Sequence, residues 1–419
     1  MRASARQRVS EAAPGVPRLV LGMAGAAGLV LAALSGADAF VGVTRARAPT
    51  AALRVHPNDA LARANAADQA FLAAPADERV RAASEQAARA SLRGSLLNPV
   101  AVRLAALGLE RGGSDAKLLG ALDAGQRLTR HDAATQLLLI EANVAQGNVS
   151  GALTGYDHVL RRKPEMGETL FPILATAARD RSVLPDLRRL LGVGAPWVGY
   201  FIDWAISNDR DLGTLLPAIT AAPTTATGLS EGRRQNLVKQ LAALRDYPAA
   251  AAAYRRFDQA PDQGGRADFA RPSRFAPFDW EVQNGPGIDG AIDAKAGLFH
   301  FTLLGDGSGL LLRRLIAVRP GPHRLDLAGT MVGPAAALVA GRVTCAQTGA
   351  QLGTLGLRPN SPAGVARIVD VPRGCAFVWL ALEGKTTPED AVEGRLSRFR
   401  LTPATGGARS TDSSDQDPR

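Results

Sequence analysis

The chain has 419 residues, 46% of them apolar, and a net charge of +10 carried mainly by arginine. That is enough apolar material for two or three domain cores and excludes a wholly disordered chain. Acidic residues interleave with the basic ones, so no stripe forms that could track a phosphate backbone, and nucleic acid is excluded as a partner. Aromatic residues make up only 5%, which suits short, closely packed helices better than large aromatic-lined cavities.

The first 18 residues are basic, with Arg2, Arg6, Arg8 and Arg18 against the single acid Glu11. Leu19 to Ala37 follows without a charge, at about the 20 residues a helix needs to cross the hydrocarbon core. This pattern predicts a single N-terminal membrane-spanning signal anchor over 19–37. The positive-inside rule keeps 1–18 cytoplasmic and places the bulk of the chain in the periplasm, single-pass in the inner membrane. Ala37-Asp38-Ala39 also fits a signal-peptide cleavage site, and a cut after Ala39 would release the chain into the periplasm.

From Thr50 to 262 alanine and leucine recur at helical spacing between proline, glycine and asparagine turns. Two stretches resemble the tetratricopeptide repeat, a helix pair of about 34 residues. In the first, Gly147 makes the turn, Ala152 is the small contact residue, Tyr156 packs between the helices and Pro164 closes the unit. In the second, Tyr247 opens a helix and Ala250, Tyr254 and Phe257 follow at matching spacings. Gln136 stands where a large aromatic is expected and Ile140 where a small residue is usual. Such repeats stack and present a concave surface, which predicts a protein partner, although the helices could also serve only as a spacer. Trp197, Tyr200, Phe201 and Trp204 share one helical face and read as core between repeats.

A linker over 263–273 leads to 274–402, where eight short runs have strand character. They are Phe278 to Val282, Gly297 to Leu304, Leu310 to Val318, His323 to Leu327, Leu338 to Cys345, Val365 to Val371, Cys375 to Leu382 and Arg395 to Leu401. Glycine and proline turns between them predict an antiparallel β-sandwich of the jelly-roll kind. The segment from Leu315 to Leu325, with Pro320-Gly321-Pro322 at its turn, resembles a unit common in carbohydrate-binding-module sandwiches. Cys345 and Cys375 are the only cysteines and are the candidate disulfide, closing a loop worth about 3 kcal/mol by chain entropy. Trp280 and Trp379 are the candidate ligand aromatics, though both lie in strand patterns that favour core positions. Residues 403–419 are polar and low in complexity and read as a disordered tail.

The fold class expected is therefore multidomain, α then β: one membrane helix, a tetratricopeptide-like α-solenoid, and a C-terminal sandwich. His56, His131, His158, His300 and His323 are dispersed without metal-ligand spacing, so neither a metal nor a cofactor is expected. No phosphate loop, nucleotide-binding glycine fingerprint or nucleophile elbow occurs, and no catalytic residue is assigned. A carboxylate pair assembled from distant parts of the chain stays open.

With anchor, repeats and sandwich in this order, the chain resembles tetratricopeptide-repeat envelope proteins of alphaproteobacteria that accompany exopolysaccharide assembly. The stretches that carry the resemblance are the anchor, Ala133 to Pro164, Glu231 to Pro261, and Phe278-Asp279-Trp280. The resemblance implies a non-catalytic, membrane-anchored scaffold whose repeats bind an envelope protein, with a glycan as a second partner class. The alternative is a polysaccharide-active enzyme or a glycan-binding protein that uses the sandwich.

Overall fold

The computed structural model describes residues 35, 37–111, 115–128, 132–258, 269–305, 307–334, 338–357, 364–386 and 391–404. It divides into two compact units, Met1–Pro164 and Glu165–Arg419, so the helices after Pro164 belong with the sandwich.

The membrane-spanning helix is a correction. Among the described residues no helix is long and apolar enough to cross a membrane, and the single-pass inner-membrane location falls with it. Leu19 to Ala37, apart from Ser35 and Ala37, lies outside the described residues, as do 1–18, the first six residues of the 263–273 linker, and 405–419 of the tail. Helical turns over 37–44 contain Ala39, and Val41 there is buried against Ala52 and Ala62. The chain after the apolar run is thus already part of a packed helical unit.

In the first unit, Pro49–Val55 precedes three helix hairpins: Ala60–Ala73 with Glu78–Gly94, Pro99–Arg111 with Asp115–Leu128, and Ala133–Ala145 with Val149–Arg162. Short polar side chains start the helices. Asp59 accepts from the Ala62 amide at 2.6 Å and Asn148 from the Gly151 amide at 3.1 Å, occupying N–H groups that a helix start leaves without partners. Gly147 has φ of 69° in the last interhelical turn, a left-handed conformation that favours glycine. Ala152 and Tyr156 are buried. The large Ile140 is accommodated from the other helix: a Cβ on Gly155 would lie 2.6 Å from Ile140 Cγ1, so the small residue that lets the backbones approach has moved to the partner helix.

One ion cluster ties three helices of this unit. Arg103, only 2% exposed, reaches Asp68 on Ala60–Ala73 at 2.9 Å and Asp132, just before Ala133–Ala145, at 2.9 Å. Asp132 also accepts from the Thr135 hydroxyl at 2.6 Å. Burial pulls the Arg103 guanidinium down, and hydrogen bonds and attraction from Asp68 and Asp132 outweigh it, so the group sits above its ordinary value.

The second unit begins with Gly167–Ala177, Leu184–Gly192, Val198–Asn208 and Leu212–Ile219. Phe171, Trp197, Phe201 and Trp204 form an aromatic cluster there, with ring centroids 5.5–6.4 Å apart, while Tyr200 points away and is 63% exposed. Two further helices, Glu231–Ala243 and Tyr247–Phe257, lead to the sandwich. Tyr247, Tyr254 and Phe257, read as repeat packing, meet aromatic residues further along the chain. Tyr247 meets Phe377 at 5.7 Å and donates to the Ala346 carbonyl at 3.2 Å. Tyr254 stacks on Phe278 at 5.0 Å and donates to Asp279 at 3.1 Å, and Phe257 meets Phe275 at 6.4 Å. Ala250 is fully buried in the same helix.

Among the described residues the sandwich has ten strands: β1 Glu281–Val282, β2 Ile288–Asp293, β3 Leu298–Leu304, β4 Ser308–Ala317, β5 Gly321–Val332, β6 Leu338–Cys345, β7 Gln351–Leu357, β8 Val365–Val371, β9 Phe377–Lys385 and β10 Ala391–Pro403. Sheet A has the order β1-β4-β9-β6-β7 and sheet B the order β2-β3-β10-β5-β8. Every pairing is antiparallel. The chain changes sheet at almost every step from β3 to β10, which is the jelly-roll habit. Alternation drives the packing: on β9 Val378, Leu380 and Leu382 are fully buried while Trp379, Ala381 and Glu383 between them are half-buried. The inward residues meet Phe299, Phe301 and Phe399 of sheet B, and burying each such side chain contributes about 1.5–3 kcal/mol. Cys345, at the end of β6, is disulfide-bonded to Cys375, with Cα atoms 5.7 Å apart, and both are buried.

Candidate functional site on the outer face of sheet A

The register of sheet A sets one row of residues across all five strands. Glu281 of β1 pairs with Arg313 of β4, Arg313 with Ala381 of β9, Ala381 with Arg342 of β6, and Arg342 with Thr354 of β7. Because side chains alternate with a period of two, a row in register shares one face. Here it is the face away from the sandwich core. Trp379 stands two residues before Ala381 on β9, and Glu383 two residues after.

Contacts across the row hold these side chains in place. Arg313 Nε donates to Glu281 Oε2 at 2.7 Å, and its guanidinium lies 4.8 Å from the centre of the Trp379 ring. Arg342 pairs with Glu383 at 2.7 Å. A guanidinium held by a carboxylate and lying over an indole is restricted in the orientations it can take.

One end of this face is covered. The amide of Leu315, the partner of Trp379 on β4, donates to the Pro277 carbonyl at 2.7 Å, and Leu315 is buried. Where the cover stops, the turn between Glu231–Ala243 and Tyr247–Phe257 overhangs the sheet. Between them lies a cleft of about 250 Å³ lined by Lys239, Arg245, Tyr247, Glu281, Arg313 and Trp379. This is slightly smaller than a typical small-molecule site and has room for one ring-sized group.

Arg245 forms the lip of the cleft in a costly conformation. Its φ is 63°, and it is the one non-glycine residue with positive φ among the described residues. Its amide donates to the Ala242 carbonyl at 3.0 Å and closes the helix at a position where glycine is preferred. The side chains of Lys239 and Arg245 are exposed, and no ion pair occupies either among the described residues.

The two candidate aromatics separate cleanly. Trp280 is 4% exposed, stacked on Phe399 at 5.6 Å with Arg314 at 5.4 Å, so its ring belongs to the core. Trp379 lines the cleft. His323 is buried with Nδ1 3.0 Å from the Gly321 carbonyl, and His300 is exposed on β3. Lys239, Arg245, Glu281, Arg313, Arg342 and Glu383 went unmarked in the sequence. The signal for Arg342 and Glu383 was a charge within the alternating runs of β6 and β9, while the adjacent Arg313 and Arg314 break alternation on β4; for Lys239 and Arg245 there was none.

No protein-family profile matches the chain, and no curated protein does. Among solved structures, one described as "CBM4 structure and function" is similar at 12% identity, covering 34% of this chain and 96% of that chain, with a TM-score of 0.24. A second, TmCBM61 in complex with β-1,4-galactotriose, is similar at 13% identity over 31% of this chain and 90% of that chain, with a TM-score of 0.21. At such TM-scores the likeness carries no argument about what this chain does.

Proposed function

We propose that the chain is a non-catalytic binding protein whose sheet A face holds a glycan. The observation that supports this reading is Trp379, half-buried in the lining of a cleft beside fixed hydrogen-bonding side chains. The apolar face of a sugar ring packs on an indole, and its hydroxyls need donors and acceptors at the ring edge. Glu281 and Glu383 supply acceptors, and Arg313 and Arg342 donors. Both carboxylates are committed to an arginine, whereas glycoside hydrolysis requires one carboxyl free to give up a proton. That commitment favours binding over cleavage.

The test is glycan-array screening of the full chain, followed by calorimetry on the best ligand. Trp379→Ala is expected to weaken binding about tenfold to a hundredfold, while Tyr200→Ala, an exposed aromatic on a helix, leaves it unchanged. No new reducing ends should appear on prolonged incubation. Binding indifferent to Trp379→Ala, or release of shorter sugars, would overturn the reading.

A second reading, the helical unit as a protein-binding scaffold, is favoured by Leu96 and Leu97. These neighbours in the turn between Glu78–Gly94 and Pro99–Arg111 are 79% and 74% exposed, and adjacent exposed leucines mark contact surfaces more often than isolated ones. A photo-crosslinking residue placed at position 97 should yield one discrete adduct that Leu96→Ser abolishes. If no adduct forms, the turn is not a contact.

A further inference from the structure

The cleft carries an excess of positive charge. Lys239, Arg245 and Arg313 line it together with a single carboxylate, Glu281, which is bound to Arg313. Arg342 adds a further cation along the same row, paired with Glu383. Lys239 and Arg245 line the cleft, and among the described residues neither is in an ion pair, the one lining carboxylate being held by Arg313. They come from the helical hairpin while Arg313 and Trp379 come from the sheet, so the positive charge of the cleft exists only because the two are packed together. A neutral sugar would leave this charge uncompensated. A carboxylate, sulfate or phosphate ester on the ring offers guanidinium and ammonium groups the oxyanion they bind best.

Backbone strain gives an independent observation. A helix that ends in a left-handed residue ordinarily places glycine there, because a Cβ crowds the following carbonyl oxygen. The chain places arginine there instead, at φ of 63°, in the lining of the cleft. Nothing in the turn requires that side chain, since the hydrogen bonds that close the helix use the Arg245 and Asp246 amides and would survive with glycine.

We infer that the ligand is an acidic glycan, its ring seated on Trp379 and its oxyanion held between Lys239, Arg245 and Arg313. This inference rests on the glycan reading above and sharpens its substrate class. The strained Arg245 is a specificity residue: it reads the anion on the sugar and contributes nothing to the fold.

The experiment uses the full chain with tetragalacturonate, its methyl ester, a sulfated galactotetraose and its unsulfated counterpart, measured by calorimetry at low and physiological salt. At least one acidic member should bind ten or more times tighter than its neutral counterpart, with the gap narrowing as salt rises. The carboxylate and sulfate arms identify which oxyanion is read. Arg245→Gly should lose about tenfold in affinity for the acidic ligand, leave neutral binding unchanged, and raise the melting temperature. Lys239→Gln should weaken acidic binding without changing the melting temperature. Equal affinity for acidic and neutral members, with loss on Trp379→Ala, overturns the acidic specificity and keeps the glycan reading. No binding to any member, nor to any sugar on the array, overturns both. Acidic binding insensitive to Arg245→Gly and Trp379→Ala places it elsewhere on this basic chain and also overturns the inference.

Discussion

Arg103→Ala is expected to destabilise the first unit by about 3–5 kcal/mol, because it leaves two partly buried carboxylates without the cation they share. Asp68 and Asp132 each lie 2.9 Å from Arg103 with side chains 18% and 16% exposed, so water solvates them only in part once the cation is gone. Three helices meet at this cluster, and the loss should be felt in all of them. Hydrogen exchange on the full chain gives the readout: amides in Ala60–Ala73, Pro99–Arg111 and Ala133–Ala145 lose protection together, while those of the sandwich keep theirs. The combination Arg103→Met with Asp68→Leu should recover part of the loss, since a packed apolar pair avoids the desolvation that the ions incur. Unchanged protection in the single variant would show that the cluster is a bystander.

Replacing Cys345 and Cys375 together by serine is expected to cost the sandwich about 3 kcal/mol, from the chain entropy regained by an unfolded segment of 30 residues. For a unit of this size that corresponds to roughly 6–12 °C in melting temperature. The bridge joins the end of β6 to the residues just before β9, at the end of sheet A where Tyr247 donates to the neighbouring Ala346 carbonyl. Calorimetric scans of the wild type with and without reductant should reproduce the difference between wild type and the double serine variant. A variant that melts with the oxidised wild type would mean that the crosslink constrains nothing.

The second of these variants also bears on the cleft. Ala346 sits between the disulfide and Phe377, whose ring packs against Tyr247, and Tyr247 lines the cleft. Loosening this corner should let the helical hairpin shift against the sheet and weaken ligand binding more than the small change in folded population explains.

Much of the secondary structure could be read from residue patterns. β6 and β8 occupy the runs Leu338–Cys345 and Val365–Val371 that alternation marks out. β2 and β7 were invisible for a physical reason. Ile288–Asp293 buries a single residue, so it carries no apolar stripe. Gln351–Leu357 contains Gly353 and Gly356, which dilute strand propensity. Gly353 is required by its surroundings: a Cβ there would lie 2.8 Å from the Val369 side chain across the sandwich. What looks like a turn residue in the sequence is a packing residue in the fold. The membrane-spanning reading of Leu19 to Ala37 rested on local hydropathy and the basic residues before it, and no helix among the described residues is long and apolar enough to span a membrane.

The site divides along the same line. Residue types along the chain determined by themselves that helices precede a glycine-punctuated sandwich, that two cysteines fall in strand-like stretches, and that few aromatics are available to hold a ligand, because each of these depends on composition or on a period shorter than ten residues. Only the tertiary structure decided which tryptophan lines the cleft, since both lie in strand-like runs, yet Trp280 turns into the core and Trp379 stands on the outer face of sheet A. It alone joined Lys239 and Arg245 to Arg313, some 70 residues apart in sequence, because strand register and helix docking bring together groups that no local pattern connects.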